Sequence, residues 1–273
     1  MNNYKLLKEN DLQLEYMSFG SGKETLLCFH GFGKEAKDFL PFEKKLGNKF
    51  TIHSIHLFYH GNSIFPDYRL ERKPLKKSEL KSLIEQIQKN EGFSKFSLAG
   101  YSLGGKVALI VAEQFRTDTE NLFLLAPDGI GSNPWYYFAS QTYIGQRVNQ
   151  ANVKNQWVFD FLFSISKNLR LASKKQMRFA RSKMQSEKQR RRVYQIWMSH
   201  RKLKSPLKVL IKDFNQRKLP VYFFIGKHEI IIPLNPIEKF VGQLKYGKLF
   251  LMDSGHTLDT EEIGKLISTE LEY

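Results

Sequence analysis

Ser102 stands in the run Gly100-Tyr101-Ser102-Leu103-Gly104, with Gly105 behind it. The run matches G-x-S-x-G. It sits between a short apolar stretch, Phe96–Ala99, and the helical pattern Leu103–Phe115. A sharp turn from strand to helix pushes a serine into a strained, exposed position. Flanking glycines have no Cβ, so neighbouring backbone can approach closely. A helix N-terminus beneath the serine favours developing negative charge. Ser102 is therefore a candidate nucleophile, and its context separates the motif from a chance match in a glycine-rich turn. The single cysteine, Cys28, lies inside the apolar run Thr25–Phe29 and reads as core packing. His53, His56 and His60 cluster in the sequence. On a strand, however, the odd offset from 53 to 56 sends side chains to opposite faces. No carboxylate or thiol cluster accompanies them, so no metal site is expected. No cofactor is expected either.

Four further segments fall in order around this serine. His30-Gly31-Phe32-Gly33 follows the Thr25–Phe29 run, and His60-Gly61-Asn62-Ser63 follows Phe50–Phe58. The segment from Gly226 to Pro233 (GKHEIIIP) follows Leu219–Ile225, and Asp253-Ser254-Gly255-His256 follows Lys248–Met252. Taken with the serine motif, the set resembles the α/β-hydrolase superfamily, in its serine-nucleophile, esterase- and lipase-like branch with a helical cap. The resemblance implies an oxyanion hole made by the backbone N–H groups of Leu103 and Phe32. It makes His30 a loop-structuring residue and His60 part of a structural turn, although Phe58-Tyr59 stand where the family has Pro-Gly. It places Glu229 where the family carries its triad acid, usually an aspartate, and His256 where it carries the base. Asp128 competes as the acid, since some members place it one strand earlier, but Pro127-Asp128-Gly129 also reads as a plain turn. Motif position favours Glu229. A serine at the elbow argues against dehalogenase and epoxide hydrolase chemistry, where the family uses aspartate.

These residues need a scaffold. The apolar runs Thr25–Phe29, Phe50–Phe58, Phe96–Ala99 and Asn121–Ala126 read as buried strands. Ser78–Lys89 has apolar residues at Leu80, Leu83, Ile84 and Ile87, a helical spacing, with Ser78 as the expected N-cap. Strands alternating with helices predict an α/β fold with a mainly parallel sheet flanked by helices. Strand texture returns at Leu219–Ile225 and Lys248–Met252, followed by a last helix near Thr260–Leu271. The resemblance covers Thr25–Gly129 and Leu219–Tyr273.

Between them the texture changes. Residues 131–215 contain no strand run and read as a helical insertion, with the hydrolase core expected over 1–130 and 216–273. The first part is aromatic, including Trp135, Tyr136, Tyr137 and Phe138. In this superfamily such an insertion usually forms a lid over the serine, which would make Trp135, Tyr136 and Phe138 pocket residues. The second part is basic, and Val193, Ile196 and Trp197 give it one apolar stripe. Between Gly131 and Asn215 there are 18 Lys and Arg against 3 Asp and Glu, so this segment holds nearly all of the formal charge of +16. The bland reading is a solvated positive surface. Next comes attraction of an anionic acyl substrate or a weak association with an anionic membrane surface. Nucleic acid ranks last, because charge is its only signal and no recognition module is visible.

Length and composition fit a soluble globular chain of 273 residues, 41% hydrophobic and 26% charged, which excludes collagen, coiled coil and disorder. One cysteine excludes a disulfide framework. No apolar run reaches about 18 residues, so no membrane span is expected. The N-terminus lacks an apolar signal region, and the expected location is cytoplasmic. The expected activity is hydrolysis of a small-molecule carboxylic ester or thioester through an acyl-enzyme on Ser102. C–C bond hydrolysis or a lyase reaction on an anionic acyl substrate is the first alternative. A ligand receptor with slow or absent turnover is the second.

Overall fold

The computed structural model describes residues 4–131, 134–168 and 174–272. They divide into two compact units. The first comprises Met1–Phe65, Lys76–Gly131 and Leu203–Tyr273, and the second Pro66–Leu75 and Ser132–Lys202.

The first unit is built on eight strands: β1 (Tyr4–Glu9), β2 (Leu12–Phe19), β3 (Glu24–Phe29), β4 (Phe50–His56), β5 (Phe96–Tyr101), β6 (Thr119–Leu125), β7 (Val221–Gly226) and β8 (Gly247–Met252). They form one sheet in the order β1-β2-β4-β3-β5-β6-β7-β8. β1 and β2 are antiparallel to their neighbours, and every pairing from β4 to β8 is parallel. The helices of this unit are α1 (Glu43–Leu46), α2 (Lys77–Glu91), α3 (Leu103–Gln114), α9 (Leu207–Gln216), α10 (Leu234–Val241) and α11 (Thr260–Leu271). A parallel sheet covered on both faces needs strands that are apolar at successive positions. β3 satisfies this at Leu26, Leu27, Cys28 and Phe29, all buried. On one face Leu26, Cys28, Ile52, Ala99 and Phe224 pack with Ile263 and Ile267 of α11. The mainly parallel α/β sheet expected from the sequence is present.

Two elements depart from the sequence reading. The hairpin β1–β2 precedes the first strand the apolar runs reveal. Its two-residue connection is Asn10-Asp11, with Asn10 at φ +55° and Glu9 paired to Leu12. β1 is an edge strand with only Leu7 buried, so it carries no apolar run. The N-cap of α2 is Lys76, not Ser78. The Lys76 amide donates to Glu79 Oε2 at 2.9 Å, and this reach-back from the third helical position fixes the start two residues earlier.

The second unit is helical: α4 (Pro134–Gln141), α5 (Tyr143–Lys154), α6 (Gln156–Asn168), α7 (Lys174–Ser182) and α8 (Glu187–His200), with a short 3-10 turn at Asp67–Arg69. α4, α6 and α8 pack against α5. α8 opens with a reciprocal cap, Ser186 accepting from the Gln189 amide at 3.3 Å and Gln189 accepting from the Ser186 amide at 3.1 Å. Val193 and Ile196 are buried, and Trp197 meets the Tyr136 ring edge-on at 5.5 Å.

The second unit does not coincide with the expected insertion of 131–215. α9 belongs to the first unit, where Leu210 and Phe214 are buried and Arg217, just beyond the helix, donates to the Ala112 carbonyl at 3.1 Å. Pro66–Leu75 joins the second unit, because Arg201 donates to the Leu70 and Glu71 carbonyls and the Leu75 amide donates to the Ser199 carbonyl. No sequence pattern within 66–75 announces that attachment.

Nor is all of the basic segment surface. Arg190 is 4% exposed and donates through Nε to the carbonyls of Asn152 (2.8 Å) and Val153 (3.2 Å), in the last turn of α5. Its guanidinium also donates to Gln156 Oε1. A cation on the carbonyl end of a helix is favourable both as a donor and through the dipole. Arg190→Ala leaves those buried carbonyls without it and is expected to destabilise by about 2–3 kcal/mol. Urea unfolding of the variant against wild type measures this, and a midpoint equal to wild type contradicts it.

Candidate active site

β5 ends at Tyr101 and α3 begins at Leu103, so Ser102 is the whole of the turn between them. Its backbone lies at φ +51°, ψ −114°, a region non-glycine residues rarely enter. The turn is over-determined by its surroundings. The Ser102 amide donates to Leu125 O at 2.8 Å, while its carbonyl accepts from Gly105 and Asp128, both at 2.9 Å. A Cβ on Gly104 would lie 1.9 Å from the Phe29 carbonyl oxygen, and one on Gly31 would lie 2.7 Å from the Tyr101 ring. Only glycines let the 29–31 backbone and the 101–104 backbone approach so closely.

That approach sets the loop His30–Gly33 against Ser102. Leu103 is the first residue of α3, so its N–H is among the four that have no acceptor within the helix. Phe32 is in the adjoining loop and half-buried. The loop is held by two histidines. The Leu57 amide donates to His30 Nε2 at 3.1 Å, which fixes the proton on Nδ1, and Nδ1 donates to Gly31 O at 2.8 Å. The Gly33 amide donates to His60 Nε2 at 3.0 Å, and His60 Nδ1 donates to Phe58 O at 3.1 Å. The two rings meet edge-on at 4.6 Å. Both histidines thus tie loops together.

The other two histidines of the sequence cluster go separate ways. His53 shares a hydrogen bond with Ser18 Oγ at 2.8 Å and stacks on Phe93, and burial pushes it down to about 4. His56 pairs with Glu15 at 2.6 Å and stacks on Tyr4. Among the described residues no group of three or more His, Cys, Asp or Glu could hold a metal ion. Cys28 is fully buried, and burial pushes its thiol well above the usual range.

Past β7, the Glu229 carboxylate is divided between two tasks. Oε2 lies 2.6 Å from His256 Nδ1. Oε1 accepts from the amides of Ile230, Ile231 and Ile232 at 2.8, 2.6 and 3.3 Å. Its side chain is 2% exposed and that of His256 17%. Burial pushes the Glu229 carboxyl up, but the hydrogen bond and charge of His256 and the amides of Ile231 and Ile232 outweigh it. The net pKa lies below the ordinary value. The loop carrying His256 is fastened to the loop after β7 by the His228 amide, which donates to Ser254 O at 2.9 Å.

Asp128 is not brought to His256 in this way. Its Oδ1 accepts from the Gly129 amide at 2.7 Å, and its own amide serves the Ser102 carbonyl. The turn reading of Pro127-Asp128-Gly129 therefore describes its contacts. Trp135, Tyr136 and Phe138 all lie on α4, in the second unit; Tyr136 packs on Trp197, and Phe138 is exposed.

One residue escaped the sequence reading. The Tyr101 hydroxyl donates to the His256 carbonyl, and the two rings lie 5.6 Å apart. Burial, then the charge of Glu229, pushes the phenol up to about 12, so it stays a neutral donor. Tyr101 thereby links the serine turn to the histidine loop. Its place beside Ser102 was the available signal, but nothing local shows that its hydroxyl reaches a loop 155 residues further on.

The family model described as the alpha/beta hydrolase fold matches residues 24–258. The chain belongs to the α/β-hydrolase fold family. This α/β hydrolase is similar to the dihydrolipoyllysine-residue acetyltransferase component of the acetoin cleaving system of Cupriavidus necator, with 26% identity over 128 residues, 47% of this chain and 33% of that protein. The chain thus spans about a third of the length of the curated relatives it matches. Among solved structures, a thermophilic esterase from Thermogutta terrifontis, with malate bound, superposes with a TM-score of 0.69 at 16% identity, covering 99% of this chain and 98% of that one. The thioesterase domain from the curacin biosynthetic pathway superposes with a TM-score of 0.62 at 14% identity, covering 100% of both chains. At such identities these likenesses concern the fold of the α/β hydrolase.

Proposed function

We propose that this α/β hydrolase is a serine hydrolase that cleaves a carboxylic ester or thioester. The observation that carries the reading is the 2.6 Å Glu229–His256 hydrogen bond, on a loop tied through Tyr101 to the strained turn of Ser102. In the proposed mechanism His256 takes the Ser102 hydroxyl proton as Oγ attacks the carbonyl carbon. The amides of Leu103 and Phe32 hold the resulting oxyanion. Removing one such donor typically costs about 3 kcal/mol of transition-state stabilisation. The tetrahedral intermediate collapses, His256 returns the proton to the departing alcohol or thiol, and the acyl group stays on Ser102. Water then attacks the acyl-enzyme as His256 takes its proton, and the intermediate expels Ser102 Oγ, which receives that proton from His256 as the acid leaves. Glu229 fixes the imidazole with its proton on Nδ1 and stabilises the imidazolium. The chain's similarity in fold to an esterase and a thioesterase supports the substrate class.

The test is turnover of a chain-length series of p-nitrophenyl esters, together with labelling of Ser102 by a fluorophosphonate probe. Stoichiometric labelling and saturable hydrolysis are expected. Failure of Ser102 to label, with no ester turned over, overturns the reading in favour of a binding role.

A further inference from the structure

The charge of this protein is lodged in its second unit. Residues 66–75 and 132–202 carry 18 Lys and Arg against 4 Asp and Glu, whereas the whole chain is only +16. The same unit exposes large apolar side chains. Trp157 is 70% exposed and Phe161 59%, one turn apart on α6. Buried Phe159 and half-buried Val158, Leu162 and Phe163 supply the packed side of that helix. On α5, which packs against α6, Tyr143 and Ile144 are also largely exposed. Cations lie over two rings of these helices, and others are exposed on the same unit. The Arg147 guanidinium lies 5.4 Å over the Tyr143 ring, that of Arg181 5.3 Å over Phe163, and Lys154, Arg178 and Arg191 are exposed.

We propose that the second unit docks on an anionic membrane surface through the exposed aromatic side chains of α6 and its excess of cations. Lone exposed apolar side chains need no explanation, but Trp157 and Phe161 exposed one turn apart on α6, with Tyr143 and Ile144 exposed on the helix packed against it, do. Their aromatic rings suit the boundary between headgroups and acyl chains, and the surrounding cations suit anionic headgroups. Nucleic acid would use the cations but leaves Ile144 without a role. No helix among the described residues is long and apolar enough to cross a membrane, so the arrangement is one that lies on the bilayer. The inference stands apart from the catalytic reading, because it uses none of its residues.

Vesicle co-sedimentation of the full chain tests it, with phosphatidylcholine vesicles against phosphatidylcholine mixed with phosphatidylglycerol. Binding to the anionic vesicles is expected to exceed binding to the neutral ones about tenfold or more, and to weaken as salt is raised. Tryptophan emission should shift to the blue on binding. The double variant Trp157→Ser/Phe161→Ser, which keeps the charge, should lose most of the binding and of the shift while its circular dichroism stays that of wild type. Equal binding to both vesicles, or anionic binding that the double variant retains in full, overturns the proposal. So does tight binding to duplex or single-stranded nucleic acid without any to vesicles, which would assign the charge to that partner.

Discussion

Ser102→Ala is expected to lower kcat on p-nitrophenyl esters by about 10⁵-fold or more, with KM little changed. The size follows from the proposed chemistry. Without Oγ no acyl-enzyme forms, and His256 and Glu229 act on nothing. A residue of catalysis about a thousandfold over water can survive from the oxyanion amides and binding alone. The fold should not suffer. The turn conformation at φ +51° is imposed by the Leu125, Gly105 and Asp128 backbone contacts, which an alanine retains. Ser102→Gly serves as a second check, since glycine adopts positive φ freely. It should be equally inactive yet more stable than wild type by about 1 kcal/mol. Steady-state kinetics with thermal unfolding of both variants settles the matter. Activity in Ser102→Ala within tenfold of wild type would place the nucleophile elsewhere.

Glu229→Gln is expected to lower kcat by about 10⁴-fold, because an amide facing Nδ1 stabilises the wrong imidazole tautomer and no longer balances the imidazolium. Asp128→Asn should stay within a few-fold of wild type, since the Asp128 carboxylate serves the Gly129 amide and not the histidine. The pair of variants separates the two acids that the sequence leaves in competition. The folded pKa of Glu229 is lowered from the ordinary 4.5. A depressed carboxyl adds stability that is fully present above the unfolded value and is lost as the pH falls through the folded one. Wild type should therefore lose stability as the pH falls below about 4.5, and Glu229→Gln should show less of that loss. Urea midpoints measured from pH 6 downward test this, and parallel curves for the two proteins would contradict it.

Much of this was legible in the chain. The central strands are buried on both faces, so they appear as short runs rich in apolar residues, and the loops that follow β3, β5, β7 and the edge strand β8 carry the residues of the candidate site. Each such residue follows its strand within a few positions, which is why Ser102, Glu229 and His256 could be named as candidates from local motifs. The β1–β2 hairpin was missed because edge strand β1 has one buried residue, and β2 breaks its apolar residues with Gln13, Glu15 and Ser18. The attachment of Pro66–Leu75 to the second unit was missed because it rests on backbone carbonyls, which have no sequence signature.

The sequence by itself determined the sheet's nature, the order of the site segments and the concentration of charge between residues 131 and 215. These are properties of local pattern and composition, fixed by burial periodicity and by counting. Only the tertiary structure decided which carboxylate meets His256. Glu229 and Asp128 are both acids on loops after strands, and the choice turns on where two separate chain segments converge. The same holds for Tyr101, whose hydroxyl finds a carbonyl far along the chain. It holds too for Arg190, whose charge counts as surface in any tally but is spent inside on the end of α5. Hydrogen-bond partners between distant segments are set by packing, and packing is the one quantity a local pattern does not contain.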